Sequence, residues 1–205
     1  AAARLHVHRP MAICGDETRT YAEMEERSNR LANALLSAGL APGDRVGTWL
    51  ENSIRCVELD FALAKAGLVR VSLNPRLTPR EAEFILADAD AKAFFHDASF
   101  DAGVVELRPK VPTLETVVRV DAARTEYEAF LANGGAQAPG IHFAAEHLYC
   151  LFYTSGTTGR PKGVMLNHRA ILQVSYNLSM ETGPWETGEK ILLMQPMSHG
   201  AGFFV

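Results

Sequence analysis

The densest group of chemistry-bearing side chains in this 205-residue sequence is Thr154-Ser155-Gly156-Thr157-Thr158-Gly159-Arg160-Pro161-Lys162-Gly163. Four hydroxyls, three glycines and one lysine fall within these ten residues. Glycine lets the backbone turn its amides toward a ligand, hydroxyls add donors, and a lysine ammonium is a compact charge suited to phosphate oxygens. These are the parts of a polyphosphate grip, although composition alone fits a flexible surface loop as well. The ordinary P-loop needs Gly-x-x-x-x-Gly-Lys-Ser/Thr, and the fifth position after Gly156 is Pro161, so this loop follows another plan. Pro161 also disfavours a helix starting directly after the glycines. The apolar runs Leu148–Tyr153 and Gly163–Leu166 predict a strand on each side of the loop.

The elements that must position this loop follow an alternating rhythm. Thr20-Tyr21-Ala22-Glu23 is a capping box and predicts a helix. That helix carries Tyr21, Met24, Leu31 and Leu35 on one core-facing stripe and ends near Gly39. A strand is expected over Arg45–Leu50, a helix from Asn52 or Ser53 to Ala66 stopped by Gly67, and a strand over Val69–Leu73. Thr78-Pro79-Arg80-Glu81 supplies a second cap, with proline at the first helical position, for a helix over Glu81–Ala89. Lys92–His96, Val104–Leu107 and Val117–Val120 read as strands, and Thr125–Ala132 as a helix. The alternation predicts an α/β fold, a mostly parallel sheet flanked by helices. The breaker-rich stretch Asn133–Gly140 reads as an exposed connection. The expected organisation is an α/β subdomain over 1–132, a linker over 133–143, and the loop-bearing segment over 144–205.

Composition narrows the function classes. Hydrophobic residues make up 47% and charged residues 21%, as in ordinary globular chains. A net charge of −4 without a basic cluster gives no general attraction for nucleic acid. Three widely spaced cysteines form neither a disulfide framework nor a zinc pattern and fit a reducing, cytoplasmic setting. No apolar run approaches the ~20 residues that span a bilayer, and the first residues lack a signal-peptide core. The histidines other than His199 show no compact ligand spacing, so no metal is assigned to them.

The string Tyr153–Gly163 resembles the signature loop of the adenylate-forming superfamily, which includes acyl-CoA synthetases, aryl-CoA ligases, peptide-synthetase adenylation domains and luciferases. Pro42-Gly43-Asp44-Arg45-Val46, Phe61–Gly67, Asn74-Pro75-Arg76-Leu77-Thr78 and Pro196-Met197-Ser198-His199-Gly200-Ala201-Gly202 extend the resemblance, in the family's order, over roughly residues 18–205. It implies the N-terminal part of an acyl-CoA synthetase-like large domain. It also implies a two-step ligase, in which a carboxylate attacks the α-phosphate of ATP, releasing pyrophosphate, and a thiol then takes the acyl group from acyl-AMP. By the same resemblance Thr154, Ser155, Thr157, Thr158 and Lys162 hold the β- and γ-phosphates. Gly156 and Gly159 belong to the same nucleotide-binding loop, and His199 lies at the acyl end of the site. ATP, Mg2+ and coenzyme A are the implied cofactors and a fatty or aryl acid the implied substrate.

Asn74–Thr78 is more similar to the acyl-CoA synthetases than to the peptide-synthetase domains. The apolar ending Ala201–Val205 reads as the middle of a buried element, so the sequence is expected to be a fragment, inactive alone. The family's later adenine, ribose, hinge and catalytic-lysine motifs are not in these residues. Two other readings stand beside the ligase: a noncatalytic nucleotide-binding or interaction module of the same fold, and a kinase-like phosphate-transfer enzyme.

Overall fold

The computed structural model describes residues 5–121, 125–154, 160–183 and 186–203. The chain opens on a small hairpin, β1 (Pro10–Cys14) and β2 (Glu17–Thr20), paired antiparallel. Thr20 then starts α1 (Tyr21–Ser37) through the expected capping box. The Glu23 amide donates to Thr20 Oγ1 at 3.2 Å, and the Thr20 amide donates to Glu23 Oε2 at 2.8 Å. Each bond satisfies an amide that helix geometry would otherwise leave open.

The main sheet forms from β3 (Arg45–Trp49), β4 (Val69–Ser72), β5 (Ala91–Asp97), β6 (Thr116–Val120), β7 (Leu148–Thr154) and β8 (Lys162–Asn167). Its spatial order is β6-β5-β3-β4-β7-β8, parallel throughout except for the antiparallel β7–β8 pair. α2 (Ile54–Ala66) connects β3 to β4 and ends at Gly67, whose φ of +66° is the left-handed value that glycine adopts without strain. α3 (Pro79–Asp88) connects β4 to β5 and begins with the second capping box, Thr78 with Glu81. α4 (Asp101–Leu107) and α5 (Thr125–Ala132) flank β6 in sequence.

Helices cover both faces because successive strand residues point to opposite sides. On one side Val46, Ala93, Phe95 and Val118 pack with Leu31 and Leu35 of α1, Leu59 and Leu63 of α2, and Leu131 of α5. On the other, Val69, Val71 and Phe94 pack with Ile85 and Leu86 of α3 and with Val104 and Leu107 of α4. Within the predicted stripe of α1, Met24, Leu31 and Leu35 are buried, and Tyr21 is half-buried.

One element differs from expectation. Val104–Leu107 is helical, part of α4, rather than a strand. Val104 and Leu107, three apart, face the core while Val105 is 76% exposed, a helical arrangement of residues whose β-branching suggested a strand.

Buried charge locks the helices together on the first side. Glu58 on α2 accepts from Arg27 on α1 at 2.6 Å and from the buried Tyr127 hydroxyl on α5 at 2.9 Å. Arg27 also reaches Glu128 at 2.6 Å. Every partner of the fully buried Glu58 carboxylate is thus a strong donor, the condition under which a buried charge is tolerated.

The connection after α5 crosses from the β6 edge of the sheet to its far side. Although most of its residues from 133 to 140 are exposed, it is fastened along α1. Asn29 donates to the carbonyl of Ala136 at 2.9 Å, and Asn33 to those of Gly135 and Gln137 at 2.7 and 2.8 Å. Gly134 lies against the backbone of α1, where an added Cβ would come within 1.8 Å of the Arg30 carbonyl oxygen. β7 then enters beside β4, pairing Arg70 with Cys150 and Ser72 with Phe152. α6 (His168–Thr182) follows β8, capped by Asn167, whose Oδ1 accepts from the Ala170 amide at 2.9 Å. α7 (Gly200–Phe203) is the last described element.

Candidate functional site

The hydroxyl- and glycine-rich loop joins two strands, as its flanks predicted. Thr154 ends β7, Lys162 begins β8, and the two are partners in the antiparallel ladder. Both are exposed. Ser155, Gly156, Thr157, Thr158 and Gly159 lie outside the described residues.

The frame of the loop is held from below. Tyr153, the residue before Thr154, donates its hydroxyl to Asp88 Oδ2 at 2.7 Å, tying β7 to the end of α3. Burial and the neighbouring Asp88 carboxylate both push the Tyr153 phenol above its ordinary range, so it remains a donor. Its ring lies over Gly163, where an added Cβ would be 3.1 Å from Tyr153 Cζ. The absence of a side chain at Gly163 therefore allows the ring and the strand to approach closely.

His199 lies in a tight turn before α7. Its amide donates to the Pro196 carbonyl at 3.0 Å, its carbonyl accepts from the Gly202 amide at 3.0 Å, and the residue is exposed. Asn52, just beyond the carboxyl end of β3, donates to the Gln195 carbonyl at 2.8 Å and accepts from the Met197 amide at 2.8 Å. From within the fold, the buried Arg70 of β4 donates to the Met197 carbonyl at 3.1 Å. Arg70 also pairs with Asp60 of α2 at 3.0 Å. Burial raises the Asp60 carboxyl to about 6, and the Arg70 charge offsets only part of that effect.

The loop and the His199 segment thus share one edge of the molecule. β3, β4 and β7 run parallel, so Thr154 at the end of β7 and the segment fastened by Asn52 both lie at the carboxyl ends of the strands. Open α/β sheets commonly bind ligands in the crevice at that edge. The arrangement sets the Thr154 hydroxyl and the Lys162 ammonium at the two ends of the loop and an imidazole on a separately anchored segment. Asn52, Arg70, Asp60 and Tyr153 escape sequence reasoning as parts of this frame. Asn52 and Arg70 meet partners more than a hundred residues away, and no local pattern marks either one.

The fold places the chain among α/β proteins built on a mostly parallel sheet flanked by helices. A family profile described as AMP-binding enzyme matches residues 1–205, and the chain belongs to that family. It is 35% identical over 180 residues to a 3-oxocholest-4-en-26-oate–CoA ligase of Rhodococcus rhodochrous, covering 83% of this chain and 32% of the relative. A fatty acid–[acyl-carrier-protein] ligase of Streptomyces coeruleorubidus is 37% identical over 199 residues, covering 95% of this chain and 37% of the relative. Among solved structures, the inhibitor-bound N-terminal domain of FACL13 from Mycobacterium tuberculosis superposes with a TM-score of 0.89 at 28% identity. That match covers 98% of this chain and 51% of the other. The chain spans about a third of the length of the curated relatives it matches. Among the described residues, no helix is long and apolar enough to cross a membrane.

Proposed function

We propose that this chain is the phosphate-gripping part of an ATP-dependent acyl-CoA synthetase acting on a fatty or aryl acid in the cytoplasm. The observation that carries the reading is the β7–β8 hairpin, which closes the Thr154–Lys162 loop at the carboxyl edge of the sheet in a member of the AMP-binding family. Thr154, Ser155, Thr157, Thr158 and Lys162 hold the β- and γ-phosphates, while Gly156 and Gly159 let backbone amides approach them. Their role is to position the polyphosphate and neutralise the charge that develops as the carboxylate oxygen bonds to the α-phosphorus and pyrophosphate leaves. His199 lines the acyl end or orients the carboxylate. Mg2+ supplies further charge neutralisation when bound with ATP.

A thiol then attacks the acyl carbon and AMP leaves. The name of the Rhodococcus relative supports coenzyme A as the acceptor, and that of the Streptomyces relative makes a carrier-protein thiol the alternative. The division into 1–132, a 133–143 connection and 144–205 belongs to the same reading, with the last segment adding β7 and β8 to the sheet.

The test is carboxylate-dependent ATP–pyrophosphate exchange by the full-length protein across a panel of carboxylic acids. AMP and pyrophosphate are the expected products; ADP and phosphate would overturn the ligase reading. Residues 1–205 expressed alone are expected to show no substantial exchange, since the family's adenine, ribose and catalytic-lysine motifs are not among them.

A further inference from the structure

Met197 is held at three points. The residue is 8% exposed and belongs to the core formed with α1, α2 and α5. Its amide donates to Asn52 and its carbonyl accepts from Arg70. Two residues further on is His199, whose own amide closes the turn on Pro196. The path of the backbone into His199 is therefore set by groups on β4 and on the loop after β3, neither of which belongs to the phosphate-loop hairpin.

We propose that Asn52 is a positioning residue for the acyl-carboxylate end of the site, acting through the Gln195–Met197 backbone to place His199. This rests on the reading of His199 given above. The chemistry requires a carboxamide: Met197 presents an N–H that needs an acceptor, and Gln195 presents a carbonyl that needs a donor. Only an uncharged group carrying both, separated as in Asn, answers the two at once. The side chain is exposed, so its replacement leaves the core intact and can be read in a folded protein. Arg70 makes the complementary bond from inside, but its burial and its pairing with Asp60 make it a poor handle for the same experiment.

The position of the clamp separates the two substrates. Loosening the 195–199 segment disturbs the carboxylate end and leaves the Thr154–Lys162 frame untouched. In the full-length protein, Asn52→Ala is expected to raise the KM for the carboxylic acid about tenfold, as both of its hydrogen bonds to the segment are lost, with the KM for ATP within about twofold of wild type. Hydrogen exchange at the Met197 amide is expected to quicken at least about tenfold in the same variant, a readout independent of turnover.

Asn52→Asp supplies a second signature. Its carboxylate still accepts from Met197 but opposes the Gln195 carbonyl, and protonation restores the missing donor. Its activity relative to wild type is expected to recover as pH falls to about 4, the ordinary aspartate range.

Unchanged Met197 exchange, an unchanged acid KM, or equal rises in both KM values would overturn the proposal. His199→Ala separates its failure from that of the underlying reading. If His199→Ala loses acid-dependent exchange while Asn52→Ala leaves the acid KM unchanged, the positioning role alone falls. If wild-type protein shows no such exchange, or His199→Ala is fully active, the reading of His199 falls and the positioning role with it.

Discussion

Tyr153 and Asp88 couple the β7–β8 hairpin to the helix on the neighbouring face of the sheet, through a 2.7 Å hydrogen bond from the phenol to the carboxylate. Because Tyr153 immediately precedes Thr154, this bond fixes where the loop leaves the sheet. Tyr153→Phe keeps the ring over Gly163 and removes only the donor. The expected outcome is a stability loss of about 0.5–1.5 kcal/mol in denaturant titrations, together with a severalfold rise in the KM for ATP and little change for the carboxylic acid.

Lys162 is the Thr154 partner across the ladder and the one lysine in the loop's frame. Lys162→Ala in the full-length protein should weaken ATP use by about 1.5–3 kcal/mol, the range for a hydrogen bond to a charged group. Steady-state kinetics in ATP check this, and kinetics indistinguishable from wild type would remove Lys162 from the phosphate site. Since Lys162 is exposed at the start of a strand, the fold itself should tolerate the change.

Much of the frame was legible because its signals are local. Thr20 with Glu23, Thr78 with Pro79 and Glu81, and Gly67 each announce a helix boundary within four residues, and each does so in the structure. Pro161 was enough to separate this loop from the helix-linked P-loop. The failures have equally specific causes. Val104 and Val105 favour a strand by type, yet α4 forms because Val104 and Leu107 can reach the core together on one helical face. The β1–β2 hairpin has only a short local signal, the two-residue turn of Gly15, at φ +59°, and Asp16. Asn52 could not be recognised at all, because its meaning lies in two backbone groups that only the folded chain brings to it.

Gly134 should be intolerant of any side chain. Its Cβ would sit 1.8 Å from the Arg30 carbonyl oxygen and 2.7 Å from the Ala34 amide nitrogen, so Gly134→Ala must push the connection away from α1. A destabilisation of about 1–3 kcal/mol is expected. Gly135→Ala is the control: the nearest atom is 4.0 Å away, and thermal unfolding should place it close to wild type.

Asp60 should leave a mark on the pH dependence of stability. Its carboxyl titrates at about 6 in the fold and near 4 when unfolded. Between those values the folded chain keeps a proton that the unfolded chain has released. Its stabilising contribution is therefore complete below about pH 4 and is lost as pH rises to about 6. Over that window wild type should lose up to about 3 kcal/mol relative to Asp60→Asn. Denaturant unfolding of both proteins at several pH values checks the sign, and a gap that stays constant or widens in favour of wild type would contradict it.

The crossing from β6 to β7 also has a consequence for how the polypeptide matures during synthesis. β3, β5 and β6 and the helices α1, α2 and α5 are all complete by Ala132, whereas β7, the second neighbour of β4, is not made until Leu148–Thr154. While the ribosome is still adding the intervening residues, one side of the Val69–Ser72 strand presents open amides and carbonyls, the condition under which sheets recruit the wrong partner. The bonds that Asn29 and Asn33 make to residues 135–137 anchor the connection on α1, so once they form only residues 138–147 separate that anchor from β7 and the open edge.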